Sequence, residues 1–273
     1  MSRTNNSRRV GAGVASFALA AGLYGAGLAA AEAADLVSDE WQFQVTPYLW
    51  ALSIDGNVTV RGFNSSQSVT FSDILSDLNF ALMVEGEARK DRIGVYANVI
   101  YSDLSDTDNT GSIRIRSNAE TVWAGAGAYY RLGPWPLLPD AGPSGPVVVV
   151  DPYAGARYTY LNAEIKIRDG GPQVEQDKNW VDPVVGLRTI WLLTPKWSVT
   201  ALGDIGGFSV GSNFSWQAAG MVGYRFGLFG DDNARFLAGY RALYQDYKSG
   251  NGRNEFKWDV TVHGPMLALA IDF

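Results

Sequence analysis

His263 is the only imidazole in the 273 residues, and by strand parity it faces the same way as Thr261 and Asp259, which brings a base, a hydroxyl and a carboxylate onto one face. Same-face residues two apart on a strand are about 6.5–7 Å apart, close enough for side chains to touch but not in itself a proton relay. Glu85 and Glu87 pair two carboxylates in the same manner, yet no sugar-binding context and no partner carboxylate on a second strand accompany them. Gly125-Ala126-Gly127 lies inside a strand pattern, not at a strand-to-helix turn, so it does not read as a phosphate loop. The absence of Cys excludes disulfides and thiolate metal sites, and a single His excludes a two-His zinc motif. The sequence predicts no catalytic residue, no cofactor and no metal, with an enzyme working through His263 as the remote alternative.

A second group of residues carries charge chemistry. Parity along the strands described below places Glu85, Glu87, Arg89, Asn98, Glu120, Arg157, Asp182, Arg188, Asp204, Gln217, Arg225, Arg241 and Gln245 on a common inward side. Acids and arginines are matched there, so the set reads either as a charged constriction that selects solutes or as an interior network of guanidinium–carboxylate pairs that fills a narrow space. The formal charge is −6 and Lys and Arg are not clustered, which argues against a nucleic-acid partner.

The elements that must position these residues follow from a period of two. Trp41, Phe43, Val45, Pro47, Leu49 and Ala51 alternate with Gln42, Gln44, Thr46, Tyr48 and Trp50, and the same pattern runs from Phe214 to Phe226. Strands are predicted near 41–51, 79–90, 93–103, 113–131, 148–163, 176–193, 197–209, 213–227, 234–248 and 255–273. Each is long enough for a tilted strand to cross a bilayer, and aromatic residues gather at the strand ends. No apolar run after Asp35 has the length of a membrane helix, so a spanning chain of this kind must close into a barrel. The fold expected is an all-β transmembrane antiparallel up-and-down barrel of ten strands, with eight or twelve as alternatives.

At the N-terminus, Arg3, Arg8 and Arg9 precede an uncharged Ala/Gly-rich stretch from Val10 to Ala31 that ends in Ala31-Glu32-Ala33. This is the charged, apolar and small-residue order of a secretory signal, which predicts a signal peptide at 1–33 and a barrel domain at 34–273. In the last strand Phe256, Trp258, Val260 and Val262 hold one parity while Leu267, Leu269, Ile271 and Phe273 hold the other, and a bulge at Gly264-Pro265 is expected to realign them. The alternating end and terminal Phe273 resemble bacterial outer-membrane β-barrel proteins. That resemblance implies outer-membrane localisation in a Gram-negative envelope, contact with outer-membrane lipid, and recognition of Leu269, Ile271 and Phe273 by the barrel-assembly machinery. More narrowly, Thr46-Pro47-Tyr48-Leu49-Trp50-Ala51-Leu52, Phe71-Ser72-Asp73-Ile74-Leu75-Ser76-Asp77-Leu78 and Glu87-Ala88-Arg89-Lys90 look like a group of small exported porin-like barrels, a likeness that brings no known activity with it.

Counting back from the last strand puts short turns and the proline-rich stretch 132–147 on the periplasmic side and 53–78, 104–112, 164–175, 210–213 and 249–254 outside. Residues 72–78 break the strand period, and a short helix there is expected to bury Ile74, Leu75 and Leu78 against Tyr48 and Trp50 as a plug in the barrel mouth. The function expected is a narrow or gated porin-like channel for water, ions or small solutes. The alternative is a structural or surface-interaction barrel with a closed lumen.

Overall fold

A computed structural model describes residues 35–110, 113–138, 145–167, 173–228 and 231–273. The signal-peptide expectation at 1–33 and the prolines Pro139 and Pro143 lie outside the described residues. In chain order the elements are β1 (Gln42–Trp50), β2 (Ser53–Val60), β3 (Phe63–Val69), α1 (Phe71–Asp77), β4 (Leu78–Lys90), β5 (Ile93–Thr110), β6 (Ile113–Tyr130) and β7 (Leu132–Pro136). They continue as β8 (Val147–Ile167), β9 (Gln173–Leu192), β10 (Trp197–Gly206), β11 (Phe214–Leu228), β12 (Asp231–Ser249) and β13 (Phe256–Asp272). Among the described residues no helix is long and apolar enough to cross a membrane, so any crossing is made by strands.

Ten strands form the wall, in the order β1-β4-β5-β6-β8-β9-β10-β11-β12-β13, and β1 pairs with β13 to close it. All these neighbours are antiparallel, as an up-and-down barrel requires. The first long loop contains a hairpin, β2 and β3, which stands on β13 above the end of β1 and adds no strand to the wall. Short β7 likewise pairs with the lower end of β8, below the point where β6 takes over.

The closing seam corrects the expected bulge. Strand β1 runs opposite β13 from Gln44 and Asp272 to Trp50 and Met266, and β2 continues in the same register from Ser53 and His263 to Val60 and Phe256. On its other side, β13 pairs with β12 from Ala234 and Ile271 to Ser249 and Phe256 with no shift at Gly264-Pro265. Gly264 is needed for another reason. A Cβ there would stand 2.1 Å from the Ala51 carbonyl oxygen, where the β1–β2 junction crosses it.

No bulge is required because the surroundings change along the strand while its parity does not. In the half near the C-terminus, Leu267 points outward and is 50% exposed, whereas inward Met266 is 2% exposed. Beyond Gly264, the inward residues Phe256, Trp258, Val260 and Val262 are buried, and the outward ones are Lys257, Asp259, Thr261 and His263. An apolar face turned outward belongs in lipid, and an apolar face turned inward under a polar exterior belongs in water. The lower part of the barrel is therefore built as a membrane protein and the upper part as a soluble one.

The same inversion recurs around the ring. Strand β9 and the residue that follows it turn Val181, Val185, Leu187 and Leu193 outward at one level and Glu175, Asp177 and Asn179 outward above it. From Val181 to Leu193 the strand covers about 40 Å, or about 28 Å of bilayer at a tilt of about 45°. Exposed Trp41, Phe43, Tyr130, Trp197, Tyr224 and Phe273 ring the lower margin, while Phe80, Tyr101, Tyr158, Phe214 and Tyr240 mark the upper one. The short turns 91–92 and 194–196 lie at the lower end with the start of β1 and the end of β13, where Phe43 and Phe273 exchange backbone hydrogen bonds of 3.3 and 2.9 Å. Among the described residues, the β2–β3 hairpin, α1, the connections 207–213 and 250–255 and the far ends of β5, β6, β8 and β9 form a crown at the other end, which the usual asymmetry of such barrels makes the outside.

Candidate functional site: a filled lumen

Period-two geometry and closure aim side chains from all ten wall strands at one axis, and they meet in layers. In the lowest, Arg89 on β4 donates to the Leu36 carbonyl oxygen at 2.8 Å and to Gln42 on β1, drawing the N-terminal segment under the barrel. Arg235 on β12 meets Asp272 on β13 at 3.1 Å.

Above this, Asp151 on β8 is gripped from two sides. Arg131, just past β6, donates through Nε and Nη2 at 2.9 and 2.7 Å, and Arg188 on β9 through Nε and Nη2 at 2.9 and 2.6 Å. Arg188 also reaches Glu87 on β4 at 2.7 Å, spanning the lumen, and its guanidinium lies 4.6 Å from the centre of the Tyr129 ring. The Tyr129 hydroxyl donates to Glu87 as well.

At mid-height Arg157 donates to both oxygens of Asp204 at 2.7 and 2.9 Å, and Tyr153 adds a third donor at 2.9 Å. Arg241 lies 4.6 Å from the centre of the Trp50 ring and donates to Gln217. Asn98 donates to the Tyr48 hydroxyl at 2.8 Å, and Glu85 and Arg225 are buried on the same inward side. Asp182 accepts from the Ser212 amide and hydroxyl at 2.6 and 2.7 Å, which fixes the upper connection between β10 and β11. Higher still, Gln245 on β12 donates to Thr159 on β8 at 3.1 Å. Trp123, Trp258 and Phe256 are buried there, and Trp180 stacks on Tyr247 with ring centres 4.1 Å apart.

Two expectations about side-chain direction fail. Glu120 faces outward, on the flank of the crown, where it borders a cleft of about 380 Å³ with Asp103, Glu164 and Glu175. Its charge does not force it inward because the exterior at that height is water. Leu75 also turns outward and is 54% exposed, while Ile74 is 4% exposed in the same buried cluster as Tyr48 and Trp50, and Leu78 packs against that cluster. A seven-residue helix presents only one narrow face to the core, so it cannot bury all three.

His263 does not partner Thr261 or Asp259. Its Nε2 meets Asp55 Oδ2 at 2.8 Å and its Nδ1 meets the Tyr240 hydroxyl at 2.6 Å, while Asp259 accepts from Tyr244 at 3.0 Å. Neighbouring strands lie closer than residues two apart on one strand, so lateral partners win. This cluster is outside the lumen, at the upper margin of the apolar belt. The hydrogen bond from His263 holds the Asp55 carboxyl below its usual range. Among the described residues no group of three or more His, Asp or Glu side chains is placed to hold a metal ion.

Parity reasoning missed Arg131, Asp151, Tyr153 and Arg235. Asp151 and Tyr153 share the parity of Arg157, and Arg235 that of Arg241, so the signal was present in the sequence. Arg131 was hidden because β6 carries small residues on both faces, with Ala124, Ala126 and Ala128 outside and Gly125 and Gly127 inside.

Closure by ten antiparallel strands, the outward apolar belt and its aromatic margins define a bacterial outer-membrane β-barrel. No protein-family model matches the chain, and no curated protein matches it. Among solved structures it is similar to the attachment invasion locus protein Ail of Yersinia pestis, at 11% identity over 85% of this chain and 98% of that one, with a TM-score of 0.37. It is also similar to Neisserial surface protein A, at 13% identity over 85% and 97% of the two chains and a TM-score of 0.30. For OmpT of Vibrio cholerae the values are 10%, 86% and 97%, and 0.27.

Proposed function

We propose that this outer-membrane barrel is a closed-lumen surface protein that presents its crown outside the cell and does not act as a solute channel. The observation that carries this reading is the burial of the inward side chains. Trp50, Trp123, Arg157, Arg188, Asp204 and Arg241 all lie out of reach of water at successive heights. A porin's constriction leaves its charged side chains hydrated, whereas here Arg157 pairs with Asp204, Arg188 with Asp151 and Glu87, Arg241 rests on the Trp50 ring, and aromatic rings close the space above. A passage would require separating Arg188 from Asp151 and Glu87, and breaking a buried pair costs about 3–5 kcal/mol.

Purified protein reconstituted in planar bilayers tests the reading. The expected trace has no unitary steps, and liposomes containing the protein do not swell in small sugars. Reproducible unitary conductance from heat-modifiable, folded protein would overturn closure and restore the channel.

A further inference from the structure

The crown is not a closed ring. Among the described residues β3 pairs with β2 alone, and no second strand lies along its other edge. Across the opening, β4 reaches only as high as Leu78, opposite Leu104, so among the described residues, 106–110 of β5 pair with β6 and with no second strand. Helix α1 joins the foot of β3 to the top of β4.

The free edge of β3 can be assigned atom by atom. Arg61 and Gly62 join β2 to β3 in a two-residue turn with φ of 53° and 82°, the left-handed pair of a tight hairpin. Such a turn makes Val60 and Phe63 a hydrogen-bonded pair, so Phe63, Ser65, Gln67 and Val69 direct their backbone groups at β2. Asn64, Ser66 and Ser68 direct theirs at the opening. Exposed edges are normally blunted by charge, proline or a bulge. The seven residues from Phe63 to Val69 contain neither charge nor proline, and their pairing with β2 has no register shift.

We propose that β3 takes up an extended segment of a partner protein by strand addition, antiparallel to β3. Bare amides and carbonyls at strand spacing match an extended backbone and little else. The ends of the slot set the charge of the occupant. Exposed Asp73 and half-buried Asp77 stand on α1 at its foot and exposed Arg61 at its top. Strand β3 descends from the turn to the helix, so an antiparallel guest enters at Asp73 and Asp77 with its N-terminal end and leaves at Arg61 with its C-terminal end. A basic residue first, an uncharged β-forming stretch and an acidic residue last is the complementary order. A second copy in the same membrane does not fit, because both β3 strands descend and a two-fold axis along the membrane normal cannot make them antiparallel.

This proposal rests on the reading of the crown as a display surface, but it is tested apart from conductance. Hydrogen exchange is followed at single amides in nanodiscs, with an end-blocked heptapeptide of sequence KTVTVTE as probe and ETVTVTK as its charge-reversed control. The amides of Asn64, Ser66 and Ser68 should slow by about tenfold or more with the first peptide and much less with the second. The Ser66→Pro variant should lose this response while Ser65 and Gln67 stay protected by β2. The double variant Arg61→Glu, Asp77→Lys, which leaves the edge backbone intact, should reverse the preference between the two peptides. The proposal is overturned if these three amides are already slow without peptide, if neither peptide slows them, or if the double variant keeps the original preference. A conducting barrel whose edge still responds would remove the closed lumen alone.

Discussion

Arg188 and Asp151 are adjacent across the β8–β9 ladder and are joined by hydrogen bonds of 2.9 and 2.6 Å, and Arg188 also reaches across the lumen to Glu87 at 2.7 Å. One guanidinium therefore ties three wall strands through two carboxylates. Replacing Asp151 by Ala leaves both Arg188 and Arg131 short of a partner in a buried layer, and destabilisation of about 3–5 kcal/mol is expected. The urea midpoint of the reconstituted barrel measures it. A shift too small to resolve would mean that this layer does not hold the wall together.

The reversal of apolar faces along β13 makes a paired prediction. Leu267→Arg puts a cation in lipid and should cost about 2–4 kcal/mol near the midplane. Thr261→Arg has the same parity six residues higher, where the outside is water, and should be near neutral. Equal penalties at the two positions would refute the change of medium at Gly264.

Trp258 lies inside the crown with no exposed surface. Truncation to Ala is expected to cost about 3–5 kcal/mol and to loosen the crown before the wall. Proteolysis of intact cells reads this as new cleavage at the surface while the membrane-embedded part survives. Cleavage no faster than in the parent would argue against an independent upper core.

The Asp55–His263 contact gives an expected pH response. Asp55 has its carboxyl lowered from the ordinary 3.8 by the hydrogen bond from His263, so this contribution is fully present above that value. It is lost as pH falls through the still lower value of the folded state. The pair is exposed, which limits its worth to about 1 kcal/mol or less. A stability difference between the parent and Asp55→Asn should exist at neutral pH and vanish in strong acid. A difference that grew on acidification would have the wrong sign.

Phe273 is exposed on the lipid side, yet its backbone is bonded to Phe43 on the first strand. Deleting it should lower the yield of heat-modifiable barrel in the outer membrane. Full yield from the truncated chain would show that Leu269 and Ile271 suffice for assembly.

The wall strands were legible because a sheet with unlike media on its two faces imposes a period of two, and nine to twenty-one residues of alternation leave little choice of register. The interior pairs were legible as a set, through Arg157, Asp204 and Arg188, because charges in such a wall have only the lumen to occupy. Glu120 marks where that rule ends, since a strand rising out of the bilayer keeps its parity and loses the reason for hiding charge. Spacing alone makes the alternation at Phe256–Val262 look like the same face displaced by a bulge, whereas it is the opposite face in a different solvent. Leu75 and the lateral partners of His263 depended on how a seven-residue helix and three neighbouring strands pack, and local spacing does not encode that.

The seam of β13 has a consequence for biogenesis. One strand closes the wall against β1 and builds the crown core against β2, and it follows every other described strand in the chain. Neither half can close until β13 is in place. Losing β13 removes membrane closure and surface structure at once, so the two halves stand or fall together.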